Sequence, residues 1–223
     1  LYSEEREGYI NKIISLLTLK DYENAIEISL KSLSIFPNDF DINYFLGIAY
    51  YSTEKFIEAE SYYAKSLKID NDSIAAMHGL AMAYDKNKKW EKSDQLYIDL
   101  IARNTKDAQA YNNYAYSLVE RNEEIDYALT LAEKAIQLSP KTSPYLDTIG
   151  WIYFKLGNLE KAKEFIAESI VYDDSSAVVL EHYGDVLIAL GEKDEALIFY
   201  KKALELDQDN IALSEKISSY ENQ

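Results

Sequence analysis

YGDVLIALGEKDEALIFYKKALELD, residues 183–207, decides the fold. A small residue, Gly184, has a large apolar residue just before it, Tyr183, and another three after it, Leu187. A second small residue, Ala196, follows twelve positions on, and a third, Ala203, seven beyond that. Back along the chain, the first small position recurs at Gly150, Ala115, Ala81 and Gly47, at intervals of 34, 35, 34 and 34. Its flanking pairs are Ile149 and Tyr153, Tyr114 and Leu118, Leu80 and Tyr84, and Leu46 and Tyr50. The second small position recurs as Ala162, Ala128, Ser93 and Ala59, and the third as Ser169, Ala135 and Ser66. Ala128 follows Ala115 by 13, which places the extra residue of the longer interval in a turn near Asn122 to Ile125. A period of this length marks a solenoid of one repeated supersecondary unit, not a globule around a pocket. Small residues at these offsets let two helices approach closely, while large neighbours fill the space beside the contact.

The strings FLGIAY (45–50) with FIEAESYYAKSL (56–67), IGWIYFKLGNLEKA (149–162) and residues 183–207 resemble the tetratricopeptide repeat family, and residues 111–140 followed by 146–157 resemble its bacterial members. The resemblance implies an all-α fold: a right-handed α-solenoid of helix-turn-helix repeats with the A helices on the concave side. Six repeats are expected, at about 6–39, 40–73, 74–107, 108–142, 143–176 and 177–210, within a single solenoid over 1–223. In the first, Ile13 stands where a small residue belongs, but Tyr22, Ala25 and Pro37 keep the pattern. Leu213, Ile217 and Tyr220 predict a capping helix over 211–221, as the last repeat of a solenoid requires. Gly157 and Gly191, each seven residues past a small position, suit left-handed turns between helix A and helix B. Asn38-Asp39, Asp72-Ser73 and Asp209-Asn210 offer oxygens to cap the helices that follow.

Composition narrows the function. The 23 basic and 39 acidic residues leave a net charge of −16, which repels nucleic acid and anionic lipid and steers cationic partners inward. With no cysteine there is no disulfide, thiolate catalysis or zinc-thiolate site. No stretch approaches the ~18 apolar residues of a membrane span. The first residue is Leu1 rather than Met, which reads as a trimmed or processed piece. A periplasmic or cytoplasmic setting fits equally.

The resemblance also assigns a working surface. Residues three before, one after and four after the small position share one helix face and, in the family, line the concave groove. They are Tyr44, Ile48 and Tyr51, then His78, Met82 and Asp85, then Asn112, Tyr116 and Val119, then Asp147, Trp151 and Phe154, then Glu181, Asp185 and Ile188. The middle of this set is aromatic and apolar, suited to anchoring partner side chains. Asn112 is placed to bond a peptide backbone, as asparagine does in peptide-holding family members. Asp147, Glu181 and Asp185 favour Lys or Arg on the ligand. The competing structural reading is that the aromatics pack only on neighbouring helices.

Ile10, Ile14, Phe45, Ala75 and Gly79 stand where a related subfamily carries its basic carboxylate clamp, so that recognition is not expected. Gly79 is out of place in mid-helix, and close approach of a ligand or helix accounts for it no better than neutral drift does. His78 and His182 are three repeats apart and read as wall residues, not metal ligands. Glu123-Glu124 and Asp173-Asp174 read as turn and cap residues. No phosphate loop, serine elbow or zinc-protease string appears. The expectation is a non-enzymatic, cofactor-free scaffold that binds a protein or peptide segment with apolar anchors and basic flanks. The alternatives are a self-associating scaffold, or an accessory part of a bacterial cell-envelope assembly or larger enzyme.

Overall fold

A computed structural model describes residues 2–221. Residues 1, 222 and 223, at the ends of the expected span, lie outside the described residues. Two compact units divide the chain, Leu1–Thr105 and Lys106–Gln223. The described residues form thirteen α-helices and no strand. The first unit holds α1 (Tyr2–Thr18), α2 (Tyr22–Leu33), α3 (Phe40–Ser52), α4 (Phe56–Ile69), α5 (Ile74–Lys86) and α6 (Trp90–Arg103). The second holds α7 (Ala108–Glu120), α8 (Ile125–Leu138), α9 (Ser143–Lys155), α10 (Leu159–Tyr172), α11 (Ala177–Ala189), α12 (Lys193–Leu206) and α13 (Ile211–Glu221). Within each unit every helix packs on its chain neighbours, and odd-numbered helices also pack side by side, as α1 on α3 and α9 on α11. Each unit is therefore a run of helical-repeat solenoid with an odd-helix layer and an even-helix layer.

The small positions are the helix crossings. Residue sixteen past each glycine crosses it from the next helix: Tyr63 over Gly47, Ile166 over Gly150 and Tyr200 over Gly184. A Cβ at Gly150 would stand 2.5 Å from Ile166 Cγ1. The second small residues, Ala59, Ser93, Ala128, Ala162 and Ala196, are all buried. Ile13, the large residue in the first repeat's small position, is also fully buried, in a cluster with Phe36 and Ile42 against Tyr9 and Phe45.

Turns repeat with the same period. Lys20, Glu54, Lys88, Asn122, Gly157 and Gly191 all have positive φ. Each left-handed residue donates its N–H three residues back, and the next donates five back, as Lys20 to Leu17, Asp21 to Leu16, Gly191 to Ile188 and Glu192 to Leu187. This is the Schellman closure of a helix C-terminus. The longer fourth turn adds a second left-handed residue, Glu124 at φ 43°. Asp39, Ser73, Asp107, Asn158, Ser176 and Asn210 accept side-chain cap bonds from the N–H three residues on.

Candidate functional site: the odd-helix face of each unit

In the first unit, α3 presents Tyr44, Ile48 and Tyr51, all half-buried against Tyr63 and its neighbours. Tyr44 stacks on Phe40 at 6.0 Å and lies tilted against Tyr63 at 5.9 Å. Tyr51 meets Phe56 edge-on at 5.3 Å. Burial, then the nearby Asp85 carboxylate, pushes the Tyr51 hydroxyl up to about 12. On α5, Met82 is half-buried and His78 is buried. Asp85 accepts bonds from Ser93 and from Tyr97 at 2.9 Å. Gly79 faces the Tyr63 ring, so its lack of a side chain serves a helix contact.

The second unit holds a denser cluster. α9 carries Asp147 and Trp151, and α11 carries His182. The His182 Nδ1 lies 3.1 Å from both carboxylate oxygens of Asp147. Its ring stacks on the Trp151 indole at 4.0 Å and 10°. The indole stacks on Phe154 at 4.8 Å, lies 4.7 Å from Lys155 Nζ, and donates from Nε1 to Glu120 of α7 at 3.0 Å. Burial lowers the His182 pKa, but Asp147, with Glu120 and Asp185 behind it, outweighs that and leaves the pKa raised. One repeat on, the arrangement recurs with other residues. Lys216 of α13 stands 34 residues after His182, as Glu181 and Asp185 do after Asp147 and Trp151. Lys216 Nζ donates to Glu181 at 2.7 Å and to Asp185 at 2.8 Å, and Asp185 also accepts from Tyr200 at 2.6 Å.

Within each unit the face divides by exposure. Tyr44, Ile48, Tyr51, Met82, Tyr116, Phe154, Glu181 and Asp185 are half-buried and reachable, whereas His78, Asn112, Asp147 and Trp151 are buried. Among the described residues Asn112 Oδ1 has no hydrogen-bond partner, and its amide nitrogen lies 3.4 Å from Asn113 Oδ1. All three acidic residues singled out from the sequence already hold a cation or hydrogen-bond donor of the chain itself. Glu120 and Lys216, which complete the cluster, have no counterpart among the sequence offsets; the 34-residue step from His182 to Lys216 is the signal that finds the latter. Among the described residues no cluster of three His, Cys, Asp or Glu could hold a metal ion. No helix of the described residues is long and apolar enough to cross a membrane. The buried part of the arrangement ties α7, α9, α11 and α13 to one another through side chains.

Comparison with known proteins places this geometry in a class, that of helical-repeat interaction scaffolds. A tetratricopeptide repeat match covers residues 48–216 and a second covers 14–39. The chain belongs to the tetratricopeptide repeat family. It is 28% identical over 216 residues to TPR repeat-containing protein MJ1428 of Methanocaldococcus jannaschii, covering 89% of this chain and 36% of that protein. The chain thus spans about a third of that relative's length. The thermophilic tetratricopeptide protein TTC0263 of Thermus thermophilus superposes with TM-score 0.75 at 21% identity, covering 83% of this chain and all of that one. Pseudomonas aeruginosa PilF superposes with TM-score 0.69 at 15% identity, covering 98% of this chain and 99% of that one.

Proposed function

We propose that this chain is a non-enzymatic adaptor that holds partner-protein segments on the odd-helix face of each of its two units. The observation that carries the reading is that half-buried apolar side chains recur on both faces, each within its own unit: Tyr44, Ile48 and Tyr51 in the first, Tyr116 and Phe154 in the second. Such rings offer large contact area at little entropic cost. A partner segment with apolar anchors and basic flanks fits best. The basic preference comes from the field of the −16 charge rather than from Asp147, Glu181 and Asp185, which are internally paired, so it acts on association rate and weakens with salt.

Tyr51→Ala and Tyr116→Ala test the reading. Each is expected to keep helical circular dichroism and lose capture of partner protein from source cells. Ile57→Ala, at a residue 74% exposed on α4, is expected to keep capture. Equal capture by all three variants sinks the proposal.

A further inference from the structure

We propose that Asp147, His182 and Trp151 form a pH-sensitive latch on the odd-helix face of the second unit: imidazolium His182 clamps α11 to α9 and shields the indole, and neutral His182 loosens both. The geometry has three parts. The two Asp147 oxygens at 3.1 Å make an ion pair with a protonated ring, and with a neutral ring only a hydrogen bond whose charge lies on the acceptor alone. The near-parallel stack at 4.0 Å puts the imidazole over the indole π-face, which favours a cation. The Nε1–Glu120 bond then carries the same tie to α7.

The surrounding charges set the direction. Glu120 of α7, Asp147 of α9 and Asp185 of α11 all favour the imidazolium. Lys155 of α9 opposes it by sharing the indole π-system, 4.7 Å from its centroid. Lys216 of α13 and the Tyr200 hydroxyl of α12 both engage Asp185 and reduce its pull. Burial also opposes the charge, and the net effect remains a raised pKa. The latch is therefore closed in acid and opens with rising pH.

The test uses the full chain with Trp90→Phe, which leaves Trp151 as the single tryptophan of the original two. Acrylamide quenching is followed from about pH 5.5 to about pH 9, and the His182 ring protons are titrated by NMR with His78→Gln to assign them. Quenching is expected to rise with pH, with a midpoint shared with His182 and above the ordinary 6.5. His182→Gln is expected to abolish that pH dependence. Flat quenching, or a curve that persists in His182→Gln, overturns the latch. Should His182→Gln fail to fold, Asp147→Asn decides: the His182 midpoint must fall, and an unchanged midpoint overturns the proposal. No partner is present in these measurements, so their failure leaves the adaptor reading standing.

Discussion

The ring of Tyr63 lies against the backbone of Gly79, so that a Cβ there would stand 2.5 Å from Tyr63 Cε1. The same ring is pressed from its own repeat by Gly47, where a Cβ would stand 2.7 Å from Cδ1 and Cε1. Tyr63 is 4% exposed, and two glycines leave its ring no direction in which to yield. Gly79→Ala is therefore expected to destabilise by about 1–3 kcal/mol through overpacking, although alanine gains about 1 kcal/mol in helix propensity. Urea unfolding checks the sign. A stabilised Gly79→Ala would show that the ring moves freely.

Left-handed turns give a prediction with the opposite sign. Lys20, Glu54, Lys88 and Asn122 adopt φ near 57° at positions where the last two repeats place Gly157 and Gly191. A left-handed residue with a side chain costs about 1–2 kcal/mol, partly offset by the larger unfolded-state entropy of glycine. Glu54→Gly and Lys88→Gly are expected to raise stability by up to about 1 kcal/mol. Gly157→Ala and Gly191→Ala are expected to lower it by a similar amount, despite the open space beside both glycines. Thermal melts of the four variants check the pattern.

Those turns also show what the sequence discloses. Glycine at 157 and 191 announces a left-handed turn and asparagine at 122 is compatible with one, but lysine and glutamate give no such sign; only the period places Lys20, Glu54 and Lys88. That residues at these offsets share one side of their helix follows from helix geometry. Exposure was not. Trp151 and Tyr116 occupy the same offset, yet Trp151 is buried because the next odd helix brings His182 over its ring, and that neighbour is set by packing across 31 residues of chain. Likewise Glu181 and Asp185 look like a site for a ligand's lysine until α13 supplies Lys216.

Burial separates two substitutions that the offsets treat alike. Trp151 is 7% exposed and ties α7, α9 and α11 through Glu120, Phe154 and His182. Trp151→Ala is expected to cost about 3–5 kcal/mol, as truncation of a large packed ring does. Tyr116→Ala, at a half-buried residue, is expected to cost less. Unfolding midpoints in guanidinium read the difference; equal midpoints would show that the indole contributes no packing.

Stability should also track the His182 proton. Its folded pKa is raised, so the stabilisation is fully present below the unfolded value of 6.5 and is lost as pH climbs through the folded value. Urea midpoints are expected to decline across that window. Asp147→Asn should flatten the decline, because it removes the carboxylate that holds the imidazolium. A wild-type midpoint that rises over the same interval would reverse the sign of the argument.

The last helix is held by few contacts, and that makes Lys216 decisive for it. α13 buries only Leu213 and Ile217 fully, and adds the Tyr220 ring stacked 6.2 Å from Tyr200 and the Lys201–Glu221 pair at 2.7 Å. Lys216 sits between Glu181 and Asp185, which would face each other as like charges without it. Lys216→Met keeps the aliphatic stem but leaves both carboxylates unneutralised, so it is expected to cost about 1–2 kcal/mol, a partly exposed charge network being worth more than a single surface pair. The loss should be local. Hydrogen exchange is expected to accelerate in α13 and the end of α12 while α7 to α10 keep their protection. Acceleration spread evenly through the second unit would show instead that α13 unfolds only with the rest.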